Sequence, residues 1–186
     1  MALRNVEEAT RNFQLRSFAP IPELVEATPE GEAQRKRLGE EILRNTAREL
    51  VSDGIAMGYR YDDSPAICPD GSTPPALSVT DYAQTSFPGA RAPHARLAGG
   101  GSTLDLFGRS FVLLRLGRDA PDVAPLEQAA KRRAVPLETV SLDEPPVCTI
   151  YERKLVLVRP DGHVAWRGDV PPVNTAALVA KVTGTL

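Results

Sequence analysis

Two histidines and two cysteines are the side chains of this 186-residue sequence best suited to proton transfer, nucleophilic attack or metal binding. His94 follows an Ala-Pro pair, and His163 lies in a Pro-Asp-Gly-His segment typical of a hairpin turn, where we expect an exposed side chain. A nucleophile–base–acid triad is built around a base such as histidine, so the sequence offers few ways to form one. We therefore assign no catalytic residue.

Cys68 and Cys148 are far apart in the sequence, and both lie near prolines in stretches without a regular pattern. No cysteine or histidine pair has the spacing of a zinc site. A disulfide is not needed in a reducing compartment, so we predict two free thiols and no metal site. The paired acids Asp62-Asp63 and Asp143-Glu144 are expected to form solvated surface.

The composition indicates a folded protein, since 42% of the residues are hydrophobic and 25% are charged. The 22 lysines and arginines are scattered and balanced by 24 acidic residues, which argues against a nucleic-acid or polybasic membrane surface. No apolar run approaches the roughly 20 residues of a membrane helix, and the N-terminus carries charges where a secretory signal is apolar. We expect a cytoplasmic protein that binds neither nucleic acid nor membrane.

Residues 109–186 alternate between strand and helix patterns. The order βαβ followed by ββα is the minimal thioredoxin-like arrangement, and a right-handed crossover makes its first two strands parallel. Pro160-Asp-Gly-His163 predicts a hairpin turn, and Trp166 is expected to fill a core or an interface. The predicted strands are 111–116, 137–142, 154–158 and 164–167, the predicted helices are 124–133 and 174–182, and the segment after 142 is expected to be irregular.

Redox activity in such a fold requires Cys-x-x-Cys at the start of the helix after the first strand, where the helix N-terminus lowers a thiol pKa. That place reads Leu116-Gly-Arg-Asp-Ala-Pro-Asp122 and holds no cysteine. Cys148 has no second thiol nearby in the sequence. We expect a thioredoxin-like domain without redox activity.

Residues 1–57 predict two helices. The first has few apolar positions and is expected to pack on another domain or subunit, and the second has an apolar stripe with little cover within this segment. Acidic residues precede basic ones over residues 2–17, which suits the helix dipole, and prolines at 20 and 22 end this helix. Thr28-Pro29 is a typical helix start, and the second helix is predicted to end near Asp53-Gly54. We expect another domain, or a second copy of the chain in a homodimer, to cover the stripe of the second helix, which consists of Leu38, Ile42, Leu43, Ala47 and Leu50.

Residues 58–108 form a proline-rich strap, which is long for a segment without regular structure in a compact domain. One interpretation is that the strap joins a further domain to the C-terminal domain; the other is an ordinary linker anchored by its tyrosines. The Gly99-Gly100-Gly101 cluster predicts a loop. The side chains expected to make interdomain contacts are Tyr59, Tyr61, Arg91 and His94.

Four stretches, in the same order, resemble a known family. They are ALRNVEEATRN at Ala2–Asn12, GYRYDDSPAICPDG at Gly58–Gly71, ARAPH with STLDLFG and FVLLRLG at 90–117, and ERKLVLVRPDGHVAWRGD at Glu152–Asp169. Together they resemble the C-terminal portion of the FAD-dependent aromatic hydroxylases of the phenol and para-hydroxybenzoate hydroxylase type. The resemblance covers nearly the whole chain.

The resemblance implies FAD and NAD(P)H in the complete enzyme, with the oxygen chemistry carried by the flavin. It also implies an N-terminal GxGxxG for the FAD pyrophosphate, which this sequence lacks, and a Gly-Asp pair for which Gly168-Asp169 lies in the wrong context. We therefore expect no cofactor in this chain. Its expected partner is the flavin- and substrate-binding domain of the same enzyme.

The predicted fold class is α/β, with a thioredoxin-like C-terminal domain at 109–186 preceded by a helical segment at 1–57 and the strap at 58–108. The predicted function is that of a non-catalytic C-terminal part of an aromatic monooxygenase, with a structural, interdomain or dimerisation role. The alternative is a free-standing thioredoxin-like binding or regulatory module without redox activity, which self-associates through its second helix.

Overall fold

The computed structural model describes residues 2–15 and 21–185. The chain divides into two compact units. The helical unit comprises Met1–Met57 and Ser78–Tyr82, and the sheet unit comprises Gly58–Leu77 and Ala83–Leu186. Within the described residues, no helix has the length and apolar character needed to cross a bilayer.

A four-stranded sheet in the order β2-β1-β3-β4 is the centre of the sheet unit. Strand β1 runs parallel to β2, with Phe111 opposite Leu137, and antiparallel to β3, with Val112 opposite Val158. A hairpin joins β3 to its antiparallel neighbour β4. The strands are β1 (Phe111–Leu116), β2 (Leu137–Leu142), β3 (Leu155–Val158) and β4 (Val164–Gly168). This order confirms the predicted thioredoxin-like arrangement and its parallel crossover.

The two faces of the sheet bury different sets of apolar side chains. Leu113, Leu157 and Trp166 on one face pack against helices α4 (Ala124–Arg132) and α6 (Thr175–Val182), so the prediction that Trp166 fills a core is confirmed. The other face is covered by helix α5 and by apolar side chains of the strap. Those strap side chains are Ala92, Ala95, Leu97, Leu106 and Phe107.

Helix α5 (Pro145–Tyr151) lies in the segment that was expected to be irregular, so that prediction was wrong. Prolines usually interrupt a helix, but Pro145 and Pro146 stand in the first turn of this one. There the missing proline N–H costs nothing and its fixed φ suits the helix. The helix ends at Glu152, whose φ of 64° is left-handed, and Val147 and Tyr151 are fully buried.

In its described residues, the helical unit contains three α-helices and a 3-10 turn, Pro22–Val25. The predicted cap of the second helix is confirmed, since the Thr28 hydroxyl accepts a hydrogen bond from Gly31 N at 3.1 Å. This helix ends at Leu50, slightly earlier than predicted. The first predicted helix is present up to residue 15, and residues 16–20 lie outside the described part. The helices are α1 (Ala2–Leu15), α2 (Pro29–Leu50) and α3 (Asp53–Ala56).

Candidate functional site

The strap adds backbone pairing along the outer edge of β4. Gly89 N donates to Val164 O at 2.7 Å, Val164 N donates to Ala90 O at 2.9 Å, and Ala92 N donates to Gly162 O at 2.8 Å. Because an edge strand presents unpaired N–H and C=O groups to any passing chain, the strap closes an edge that would otherwise be open to association. The segment Pro88–His94, which contains the ARAPH motif of the family resemblance, is therefore part of the sheet's own architecture.

Arg167, on β4, holds the strap by its side chain. Its side chain is 5% exposed, and Nε forms a 2.7 Å ion pair with Oδ2 of Asp70, whose side chain is 6% exposed. Nη1 donates to Ser86 Oγ and Glu152 Oε2, both at 2.8 Å, and Nη2 donates to Ser72 Oγ at 3.1 Å. A buried charge is tolerated only when it is paired and hydrogen-bonded, and these partners meet that condition.

The partners of Arg167 also fix the charge of Asp70. Burial raises the pKa of the Asp70 carboxyl, but hydrogen bonds from Ser72 and Arg167 outweigh it, and the net pKa lies below its ordinary value. Phe87 lies beside this pair, with the guanidinium carbons of Arg60 and Arg167 at 5.5 and 5.7 Å from its ring centroid. The ionised pair is thus stable across the neutral range.

The carbonyl of Pro93 is the second buried anchor of the strap. It accepts hydrogen bonds from Thr103 Oγ1 at 2.7 Å and from the Tyr151 hydroxyl at 2.8 Å. Thr103 Oγ1 in turn accepts from Ala95 N at 3.0 Å, and both Thr103 and Tyr151 are fully buried. A hydroxyl of the strap and a hydroxyl of α5 therefore bind the same backbone carbonyl, that of Pro93.

Tyr59 and Tyr61 lie against His163, with ring centroids 5.2 and 4.7 Å from its imidazole. The expectation of an exposed His163 was wrong, because this side chain is 5% exposed. Burial lowers the pKa of His163 and outweighs the attraction of Asp161. Burial, with Tyr59 and Asp161 adding to it, raises the pKa of Tyr61.

Three of the four residues predicted to make interdomain contacts meet at this aromatic cluster, and one does not. Arg91 forms an antiparallel β-bridge with His163. His94 is exposed and bonds locally, through Nδ1 to Ser102 Oγ at 2.7 Å. Contacts of these four residues with another domain stay a prediction.

The loop after β1, which carries the redox motif in a thioredoxin, is bound by side chains from neighbouring parts of the sheet unit. Arg115 Nε donates to Pro121 O at 3.1 Å, and its Nη2 donates to Ala120 O at 2.9 Å. Lys154 forms an ion pair with Asp119 of the same loop at 2.5 Å. The loop is thus fixed by hydrogen bonds to its backbone carbonyls and by one ion pair. Arg118 and its neighbours stand where a thioredoxin has its two cysteines.

Both cysteines are free thiols, as predicted. Cys68 packs against the face of the sheet that α4 and α6 cover, and Cys148 packs against the opposite face. Burial raises the pKa of each thiol, which lowers its reactivity. Among the described residues, no group of three or more His, Cys, Asp or Glu side chains could hold a metal ion.

A family model described as the C-terminal part of aromatic-ring hydroxylases matches residues 85–186. The matched range contains the whole sheet, both sides of the Pro93 anchor and the segment of the strap that pairs with β4. The chain belongs to this family. The resemblance found in its sequence motifs is thereby confirmed.

The chain also matches longer proteins over residues beyond those of the family model. It is 39% identical to FAD-dependent monooxygenase apdD of Emericella nidulans over 63% of its own length and 20% of the relative's. It is 32% identical to phenol 2-monooxygenase of a Pseudomonas species, over 76% and 26% of the two chains. The solved structure of RebC-10x matches the whole chain with 42% identity and a TM-score of 0.86. The chain spans about a third of RebC-10x and about a quarter or less of the two curated relatives.

The Gly99–Gly101 loop lacks the geometry that holds a dinucleotide pyrophosphate. Gly100 and Gly101 have positive φ, but a four-residue 3-10 turn, Thr103–Leu106, follows them in place of an α-helix. The carboxylate of Asp105 accepts a hydrogen bond from Ser102 N at 2.8 Å and would repel a phosphate there. No flavin step is assigned to this loop.

The residues that anchor the strap were not singled out in the sequence. Asp70 and Arg167 are 97 positions apart, so no local pattern joins them. The one signal available was Arg167 itself, a charged residue inside a strand that otherwise reads as apolar, since such a residue needs a buried partner.

Proposed function

We propose that this chain is the C-terminal, non-catalytic part of an FAD- and NAD(P)H-dependent aromatic hydroxylase. Its role is architectural: the sheet unit fixes the strap, and the strap and helical unit hold the flavin- and substrate-binding domain of the same enzyme. The observation that carries the proposal is the buried Arg167–Asp70 pair with its serine and glutamate partners. A fully satisfied buried ion pair fixes geometry more than it adds stability.

A non-catalytic role agrees with the contacts of the loop after β1, where a thioredoxin carries its pair of redox cysteines. The loop after β1 is tied down by Arg115 and Lys154, and both thiols have raised pKa values. The cofactors FAD and NAD(P)H are proposed for the complete enzyme and not for this chain. The aromatic substrate would then contact the other domain.

The test measures cofactor binding and turnover with and without the remainder of the enzyme. The purified chain should carry no stoichiometric flavin and should not oxidise NADPH in the presence of phenols. Under the same conditions, the full-length enzyme should bind flavin and oxidise NADPH. Tight FAD binding by the 186-residue chain would overturn the proposal.

The size of the native product decides between this proposal and its alternative. An immunoblot of source cells with an antibody against this chain should show a band well above 20.1 kDa. A single band at 20.1 kDa would instead favour the free-standing binding module.

The alternative has one observation in its favour, which is the exposed stripe on α2. Leu43 and Leu50 are 71% and 78% exposed, and self-association through this stripe would cover them. It predicts a concentration-dependent dimer in sedimentation experiments that Leu43→Glu abolishes and the exposed control Glu40→Gln does not. A dimer that survives Leu43→Glu would exclude α2 as the contact.

A further inference from the structure

His163 is a buried histidine with a hydrogen-bond partner at only one of its two ring nitrogens. Nδ1 lies 3.2 Å from the backbone oxygen of Asp161. Because a carbonyl oxygen only accepts, Nδ1 carries the hydrogen of the neutral ring and Nε2 keeps a lone pair. Nε2 is buried and has no hydrogen-bond partner in the described part of the chain. The surroundings of this imidazole therefore suit its neutral form.

A proton on Nε2 would create a buried donor and a buried charge at the same atom. Both are unfavourable away from water unless an acceptor is present. Among the charged groups that face the ring, Asp161 favours the protonated form, whereas Arg159 and Arg91 oppose it. The faces of two tyrosine rings attract a cation, but the same rings keep water from Nε2. The protonated ring therefore needs an opening through which water can reach it.

The cover over the imidazole is a short segment of the strap, Tyr59–Tyr61. Its two tyrosine rings lie 5.2 and 4.7 Å from the imidazole, centroid to centroid. Its backbone pairs with a neighbouring part of the strap, since Tyr61 N donates to Gly89 O at 3.0 Å and Arg60 forms an isolated β-bridge with Ala90. Movement of this segment would expose the ring.

Two other contacts hold the strap without the help of a histidine. They are the ion pair of Arg167 with Asp70 and the hydrogen bonds to the Pro93 carbonyl. The pKa of the Asp70 carboxyl lies below its ordinary value of 3.8, so the ion pair persists in mildly acidic solution. These contacts should keep the strap on the sheet over the pH range in which a histidine titrates.

We propose that His163 is a pH-sensitive switch for the Tyr59–Tyr61 segment of the strap. When Nε2 takes up a proton from solvent, the tyrosine rings leave the imidazole and water accepts the new N–H. The rest of the strap stays bound through the Asp70 and Pro93 contacts. The inference does not depend on the proposed function, because every group in it lies within the sheet unit.

The size of the effect follows from proton linkage. In the open form the ring is solvated and titrates near the ordinary value of 6.5, whereas burial gives the closed form a lower pKa. The open form therefore binds the proton more readily and gains population as the pH falls. Between pH 7.5 and 5.5 the ratio of open to closed form rises by up to about tenfold, the limit for a closed form that stays unprotonated.

Native-state hydrogen exchange of the chain, followed by NMR, tests the switch at the amide of Tyr61. The reference is the amide of Leu116, which donates to Lys154 O at 2.8 Å within the sheet. Protection factors are corrected for the intrinsic pH dependence of exchange and measured at several urea concentrations below the unfolding transition. Tyr61 should exchange through a local opening that urea does not promote, with less protection than Leu116. Its protection should fall by up to about tenfold between pH 7.5 and 5.5.

Two histidine variants assign the pH dependence. In His163→Phe, which keeps a ring between the tyrosines, the protection of Tyr61 should be the same at both pH values. The control His94→Phe, at an exposed histidine, should behave like the parent. Equal protection of Tyr61 and Leu116 in the parent would mean that only global unfolding exposes the ring. Either that result or a pH dependence that persists in His163→Phe would overturn the inference.

A change of charge beside the ring gives a second measurement that leaves His163 in place. Arg91→Gln removes a charge that opposes protonation, so the pKa of His163 in the closed form should rise. The loss of Tyr61 protection between pH 7.5 and 5.5 should then be smaller than in the parent. Arg109→Gln, at an exposed arginine of the strap's neighbouring segment, should match the parent. A loss in Arg91→Gln as large as in the parent, or larger, would contradict the switch.

Discussion

The sheet unit buries most of its large apolar side chains, whereas the helical unit exposes many of its own. In the sheet unit, both faces of the sheet are packed with fully buried residues such as Leu113, Val156 and Tyr151. Among the described residues of the helical unit, only Gly31 and Gly54 are buried. Its large apolar side chains that stand exposed are Leu3, Val6, Phe13, Val25, Ile42, Leu43, Leu50 and Val51.

This difference separates what the chain can stabilise alone from what it needs a neighbour to stabilise. Burial of apolar surface is the dominant favourable contribution to folding, so the sheet unit has its own source of stability. The helical unit depends on helix propensity and capping, which are marginal in water without tertiary packing. Substitutions should therefore act strongly on the sheet unit and weakly on the helical unit.

The largest effect is expected for Arg167→Met. Removal of the guanidinium leaves the carboxylate of Asp70 buried without its partner, which costs about 3–5 kcal/mol of unfolding free energy. Urea denaturation followed by the fluorescence of Trp166, the single tryptophan of the chain, measures this within the sheet unit.

The control for this substitution is Arg118→Met. Arg118 pairs with Asp143 at 3.2 Å, but the two side chains are 93% and 57% exposed. Such a pair contributes about 0–1 kcal/mol, so the midpoint should hardly move. Similar losses in the two variants would mean that the buried network does not hold the strap.

The buried network also marks the limit of prediction from sequence. The β-strands and the parallel crossover could be predicted because alternation and turn residues are local. The pairing of Asp70 with Arg167 could not, since the strap must first pass along β4. The burial of His163 was missed for the same reason: a hairpin histidine is exposed until Tyr59 and Tyr61 of the strap cover it.

The next effect in size is expected at the Pro93 anchor. Thr103→Val keeps the volume of the side chain but removes the acceptor of Ala95 N and one donor to Pro93 O. An unsatisfied buried backbone N–H costs about 1–3 kcal/mol, measured by the same urea denaturation. The control Thr149→Val, at an exposed position of α5, should leave the midpoint unchanged, and an equal loss there would point to a general effect of the hydroxyl.

The helical unit is tested by a pair of glycine substitutions in α2. At Gly39, a new Cβ meets no atom within 4 Å, so Gly39→Ala should stabilise the helix by about 0.5–1 kcal/mol. At Gly31, the same Cβ would lie 2.4 Å from Glu26 O and 2.6 Å from Glu23 O, and Gly31→Ala should destabilise this end of the helix. Thermal melts followed by circular dichroism at 222 nm, a wavelength that reports helix content, distinguish the two; a gain in both variants would show that the 3-10 turn does not pack on α2.

The smallest effect is the pH dependence that His163 gives the sheet unit. Its pKa in the folded protein lies below the ordinary value of 6.5 because the imidazole is buried, so the unfolded chain takes up a proton first. Stability should therefore be complete above pH 6.5 and fall as the pH drops through that value. The groups around the imidazole are Asp161, which favours the charged form, Arg159 and Arg91, which oppose it, and the rings of Tyr59 and Tyr61.

Urea midpoints between pH 7.5 and 5.5 test this dependence in the parent chain and in His163→Phe, which keeps an aromatic ring between the tyrosines. Between pH 7.5 and 5.5, the urea midpoint should fall less in His163→Phe than in the parent chain. In His94→Phe, at an exposed histidine, the midpoint should fall as much as in the parent. Asp70 does not contribute in this window, because its lowered pKa confines its loss of stability to pH values below its ordinary value of 3.8. A pH profile in His163→Phe equal to that of the parent would mean that the strap does not shield the imidazole from protonation. The contrast between a sheet unit with buried side chains and a helical unit with exposed ones would then not hold at this edge of the sheet.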